Sequence, residues 1–166
     1  MIPTLVRSAA TLALLPFRTT AFVAQMSSGS AGGGGALNVL GTPLQACSLP
    51  GGPTTGWRRD GYCSTDDNDH GQHCVCSEVT EDFLEFTKSK GNDLSTPRPY
   101  FPGLKVGDRW CLCSSRWLEA QRAGKAPLVV LESTHERAMD VVPIELLKEN
   151  SAKPCTAAEV PVEAEL

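Results

Sequence analysis

All 19 acidic residues of this 166-residue chain lie after Arg59, and the acid-free part contains the run Gly32-Gly33-Gly34-Gly35. A glycine- and serine-rich stretch such as residues 26–36 has too little side-chain surface to bury and behaves as a flexible linker. The folded unit is therefore expected to begin near Leu37. Ahead of the linker come a short positive start ending at Arg7, an apolar run over 8–17, and a small residue, Ala21, before Phe22. That is the layout of a targeting segment, so residues 1–25 are expected to be a transit peptide for a plastid or mitochondrion. Translation from Met26 would instead leave a cytosolic protein. Residues 151–166 hold Ala, Pro and Glu with scattered Val and no periodicity, and are expected to be a disordered tail.

The 15 basic residues are outnumbered by the 19 acidic ones, for a net charge of −4 and no lysine- or arginine-rich run. This removes the attraction to phosphates on which nucleic-acid binding depends. No apolar stretch approaches the roughly 18 residues that a membrane-spanning helix needs. Residues 37–150 are thus read as one small soluble domain, long enough to bury about two-thirds of its surface without help from disulfides.

Within it, residues 38–71 are dense in Gly, Pro, Ser and Asp and read as turns and coil, with one short strand at Asn38-Val-Leu40. Residues 73–79 alternate as a strand does. Thr80 then caps a helix over 81–90, with acids in its first turn, lysines in its last, and Gly91 as its stop. Phe83, Leu84 and Phe86 share a face of that helix. A second strand over 109–113 leads to a helix over 115–123, with Trp117, Leu118 and Ala120 inward and Gly124 as its end. The Val- and Leu-rich run 126–131 reads as a strand covered on both faces. Thr134 caps a short helix carrying Ala138, Val141 and Val142, and Pro143 opens another with Ile144, Leu146 and Leu147. This order predicts a compact layered α/β or α+β domain with a short sheet, several short helices and long irregular loops.

Several segments occur together: Asn38-Val-Leu-Gly41, Arg59-Asp-Gly61 with Cys63, His73 with Val75-Cys76, Phe83-Leu-Glu-Phe86, Gly91-Asn-Asp-Leu-Ser-Thr-Pro97, Phe101-Pro-Gly-Leu104, Gly107-Asp-Arg-Trp-Cys-Leu-Cys113, Arg116-Trp117 and Thr134-His135. In this order they resemble the DUF2237 family, a mainly bacterial group without an assigned function, over residues 37–150. The resemblance implies a single family domain and transfers no mechanism. Cys74 departs from the family pattern, in which a non-cysteine residue is expected at that place.

The seven cysteines are Cys47, Cys63, Cys74, Cys76, Cys111, Cys113 and Cys155. In a reducing compartment the first expectation is buried, inert thiols, because free cysteine is among the most buried residue types. Next come two chemical readings of equal weight. One is a zinc site drawing on Cys63, Cys76, Cys111 and Cys113, although both close pairs have a one-residue gap where zinc loops commonly have two to four residues. The other is a thiol nucleophile at Cys111 or Cys113, with Arg109 beside it favouring the thiolate and His73 or His135 as proton carrier. A local pair of His73 with Cys76 is disfavoured, since a regular strand puts them on opposite faces. Disulfides come last, because they persist mainly in oxidising compartments.

Residues 92–108 contain Pro97, Pro99 and Pro102 and exceed the usual loop length, which marks them as a site candidate. Asn92, Asp93 and Ser95 are either turn formers or donors and acceptors of a polar pocket, with Arg109 as a further substrate-binding candidate. His70 among Asp66, Asp67 and Asp69 reads as a solvated acidic turn before it reads as a cation site. The tryptophans read as packing, Trp117 most clearly. The functional expectation is a small-molecule-binding or enzymatic domain with a pocket containing Cys and His. The alternatives are an interaction module with packed thiols and a zinc-binding domain.

Overall fold

The computed structural model describes residues 35–151. The expected presequence 1–25, nearly all of the linker 26–36, Cys155 and all of the tail except Ser151 lie outside the described residues.

Three strands form one antiparallel sheet: β1 (Val75–Glu78), β2 (Arg109–Leu112) and β3 (Leu128–Val129), in the order β2-β1-β3. Three helices accompany it: α1 (Glu81–Ser89), α2 (Ser114–Arg122) and α3 (Ile144–Glu149). With an antiparallel sheet, α1 and α2 in its connections and α3 after β3, the domain is α+β.

Local chemistry explains the element ends. The Thr80 hydroxyl accepts the Phe83 N–H at 3.3 Å to start α1, Glu81 and Asp82 face the positive end of the helix dipole, and Lys88 faces the negative end. Phe83, Leu84 and Thr87 are buried under α1, and Phe86 packs at the rim of the core. Trp117 of α2 is fully buried, and its indole N–H reaches the Pro127 carbonyl at 3.1 Å, as a buried tryptophan requires. Val75, Val129, Val142 and Leu147 complete this core.

Three expected elements differ, the first being the strand at Asn38-Val-Leu40, where only single bridges form, Leu37 with Pro43 and Asn38 with His135. The segment after Thr134 is a 3-10 turn over Glu136–Asp140, and its N-cap is His135, whose Nδ1 accepts the Arg137 N–H at 3.1 Å. Thr134 is committed elsewhere: its hydroxyl accepts from the Cys76 amide and donates to the Val130 carbonyl. β3 is two residues long and lies at the sheet edge, so Leu128 is half exposed where coverage on both faces was expected.

The irregular segment 35–74 carries neither a helix nor a strand of the sheet, and it is stapled down by two disulfides. Cys47 bonds to Cys76 of β1 and Cys63 to Cys111 of β2. Cys76 and Cys111 are register partners across β1 and β2, so the four sulfurs share one buried cluster with Val130 against it. This corrects the expectation of reduced thiols. That expectation rested on the compartment, and the bonding distances arise only when the sheet register sets Cys76 beside Cys111 and the coil folds back over both. Buried Asn38 ties the same coil to the far end of the domain, donating to the Glu132 carbonyl at 3.0 Å.

Candidate functional site

A tight turn precedes β1. Its residue Gln72 has φ +45°, and the Gln72 carbonyl accepts from both the amide and the hydroxyl of Ser114, each at 3.0 Å. The turn before β1 is thereby pinned to the start of α2. His73 follows Gln72, and Cys113 is the N-cap of α2, so the same pinning sets imidazole against thiol. His73 Nε2 lies 3.1 Å from Cys113 Sγ.

Asp69 holds the other side of the ring. Its Oδ1 is 2.6 Å from His73 Nδ1, and its Oδ2 accepts from the His73 amide at 2.8 Å and from the Thr65 hydroxyl at 2.9 Å. The Asp69 side chain has no exposure. Burial works against its charge, but the hydrogen bonds from the His73 amide and ring and from Thr65 outweigh it and hold the carboxyl below its usual range. The hydrogen bond to Cys113 raises the His73 imidazole to about 9; burial opposes this and Asp69 reinforces it. Gly71 makes room for the pair: a Cβ there would stand 2.8 Å from His73 Cε1 and 3.1 Å from Cys113 Sγ. The indole of Trp57 stacks on the imidazole, with centroids 5.8 Å apart and planes 12° off parallel.

His73 lines a cavity of about 250 Å³ with Trp57, Arg59, Phe101 and Trp110 in its other walls. A smaller pocket of about 70 Å³ contains Cys113, Asn92 and Arg116, and it shares His73, Leu94, Trp110 and Cys111 with the larger one. The two form one recess. Leu94 and Phe101 come from the long 92–108 loop, and Trp57 and Arg59 from the coil between Cys47 and Cys63. Both loops are thus walls of the site, and the second is held by the disulfides.

Of the expected catalytic residues, His73 and Cys113 meet. Cys111 does not act as a thiol here, because its sulfur is bonded to Cys63 and only its residue surface lines the recess. His135 sits outside the recess walls as the cap described above, and burial lowers its basicity. Among the expected substrate-binding residues, Asn92 lines the smaller pocket while its amide donates to the Thr87 hydroxyl at 2.9 Å. Asp93 closes a turn, accepting from the Ser95 and Thr96 amides and the Thr96 hydroxyl and pairing with Lys88; these bonds, the Thr96 hydroxyl foremost, hold its carboxyl well below the usual range. Ser95 belongs to that turn. Arg109 lines a different groove, beside Val79 and Val106, with Glu78 3.7 Å away.

The four residues expected to hold zinc are not one set. Cys63, Cys76 and Cys111 are bonded in disulfides and offer no thiolate, and Cys113 stands with His73. The compact sulfur group is instead Cys47, Cys63 and Cys76, all within 4.8 Å of one another. Cys74, the other free cysteine among the described residues, is fully buried, and burial pushes its thiol up to about 12.

Sequence reasoning missed Asp69, Trp57 and the role of Trp110. The available signal was the four-residue spacing of Asp69 and His73, obscured by neighbouring Asp66 and Asp67. Trp57 carried no signal, since its partner ring is brought by folding.

Comparison with curated proteins finds no match to the chain. Residues 37–151 match the family described as an uncharacterized protein conserved in bacteria, DUF2237, and this span is most of the chain. The chain belongs to the DUF2237 family.

Proposed function

We propose that the domain is a thiol enzyme in which Cys113 attacks a small electrophilic acyl substrate held in the recess. The observation that carries this reading is the continuous contact from the Asp69 carboxylate through His73 to the Cys113 sulfur, at 2.6 and 3.1 Å. A nucleophile, a base in hydrogen-bond reach and a third group orienting the base are the elements of such a site. Asp69 accepts a hydrogen bond from Nδ1–H, so Nε2 faces the sulfur, where it takes the thiol proton and leaves the thiolate, the nucleophilic form. Cys113 also stands at the N-cap of α2, where first-turn amides and the helix dipole favour negative charge.

The chemistry is an acyl transfer. The Cys113 thiolate adds to the carbonyl carbon, and the electron pair moves onto the carbonyl oxygen, stabilised by the positive end of α2. The tetrahedral species collapses with loss of the leaving group, which takes its proton from His73 Nε2. Water, deprotonated by His73, then hydrolyses the thioester and restores the thiol pair.

The full chain treated with p-nitrophenyl acetate tests this. One acetyl group per chain on Cys113, mapped by peptide mass, with a matching burst of p-nitrophenolate, is the expected result. Acetylation elsewhere only, or equal acetylation in His73→Ala, overturns it.

The organelle address expected from the N-terminal layout forms part of the proposal. The disulfides support a compartment oxidising enough to keep them. Residues 1–36 fused to a fluorescent protein are expected to mark an organelle; a diffuse cytosolic signal refutes the address.

A further inference from the structure

Resting on the thiol-enzyme reading, we propose that the substrate carries an anionic group, a carboxylate, and that Arg59 is the residue that binds it. The recess has an unusual charge balance for an acidic protein. No Asp or Glu is among its walls, while Arg59, Arg116 and His73 are. Arg116 is neutralised by Glu119 at 2.9 Å, and His73 by Asp69. Arg59 has no ion pair among the described residues, and its guanidinium makes one hydrogen bond, to the Gly56 carbonyl at 3.4 Å.

The arginine is nevertheless held in place. Its carbon Cζ lies 4.7 Å from the centroid of the Trp110 ring, a stacked position that leaves the guanidinium edge free to bind a planar carboxylate. Its backbone has φ +56°, a left-handed conformation that costs a non-glycine residue energy and persists where the surroundings enforce it. The enforcing parts are close by. The Arg59 amide donates to the Gly56 carbonyl, and Gly56, at φ +97°, admits no side chain because a Cβ would overlap the Tyr62 carbonyl. The Cys47–Cys76 and Cys63–Cys111 bonds anchor both ends of this loop. Phe101 meets Trp110 edge-on at 5.4 Å, so the wall beside the arginine is aromatic.

The test compares alkylation of Cys113 by iodoacetate and by iodoacetamide, read by peptide mass in the full chain with its disulfides intact. The expected ratio of the two rates exceeds that of the urea-unfolded chain by about tenfold, falls at least threefold in Arg59→Met, and falls less in Arg59→Lys, which keeps the charge without the planar fork. In the unaltered protein, benzoate is expected to slow iodoacetamide alkylation saturably, and benzamide to have no effect. A ratio equal to that of the unfolded chain, a ratio indifferent to Arg59→Met, or equal protection by benzamide overturns the anion site while leaving the thiol enzyme standing. Iodoacetamide reaction at Cys113 no faster than in the unfolded chain overturns the thiol enzyme, and the anion site with it.

Discussion

Cys111 and Cys113 are separated by one residue, yet the first belongs to a dry sulfur cluster and the second, a free and partly exposed thiol, stands against an imidazole in a recess. Around Cys111 are Cys47, Cys63 and Cys76, all essentially without exposure, with Val130 packed on them. Nothing there stabilises a thiolate, and pairing into disulfides removes the ionisable group altogether. Around Cys113 are a protonatable imidazole, the buried carboxylate behind it, and the start of a helix. Cys74 completes the comparison: free like Cys113 but without exposure, it is held in its neutral form by burial. Sulfur chemistry in this domain follows from the groups delivered to each sulfur by other segments, and the spacing of cysteines says little about it.

The largest effect separates the two free thiols. In the folded chain, Cys113 is expected to be alkylated by iodoacetamide at least about a hundredfold faster than Cys74, a difference lost in urea. Comparable rates in the folded state would erase the distinction between the regions.

The disulfide cluster should matter for stability. Closing loops of 29 and 48 residues, the two bonds each contribute roughly 3–4 kcal/mol by chain entropy. Urea unfolding of the paired variant Cys63→Ala, Cys111→Ala is expected to show a loss of this order, and Cys113→Ala a loss below about 1 kcal/mol. The reverse ordering would mean that Cys113, not the cluster, holds the coil.

Removing His73 is expected to slow acetylation of Cys113 about a hundredfold, and Asp69→Asn about tenfold, since Asp69 acts on the sulfur only through the imidazole. Burst kinetics with p-nitrophenyl acetate measure both. A larger loss in Asp69→Asn than in His73→Ala would recast Asp69 as the primary group.

The smallest effect is a titration. The His73 imidazole, followed by NMR, is expected to hold its proton to about pH 9, and in Cys113→Ala to fall toward the ordinary 6.5, because the bond to Cys113 is the largest cause of the shift. A folded value above the unfolded one stabilises the protein fully below about pH 6.5, and that stabilisation drains away as pH rises through about 9. An imidazole that titrates near 6.5 in both proteins would break the link between ring and thiol.

Much of the fold was legible in the sequence because its signals are local. Thr80 and Gly91 bracket α1, Trp117 marks the buried face of α2, and the irregular composition of 38–71 forecasts a coil. Local signals also misled where a side chain had two uses: Thr134 had the chemistry of a cap but was drawn to Cys76 and Val130, and His135 took its place. Of the candidate site, His73 and Cys113 were named from residue type. Which of Cys111 and Cys113 was free, and that Asp69 faced inward, depended on groups far away in the chain.

By itself the sequence determined where α1, α2 and β2 lie, since caps, glycine stops and apolar spacing act over a few residues. Only the tertiary structure decided which sulfurs bond and which one meets an imidazole. Cys113 and His73 are 40 positions apart, and the disulfide partners 29 and 48. Their meeting is set by the β1–β2 register and by the pinning of the Gln72 turn to α2. Such contacts leave no periodic trace in the chain, because their geometry belongs to the packing of whole elements.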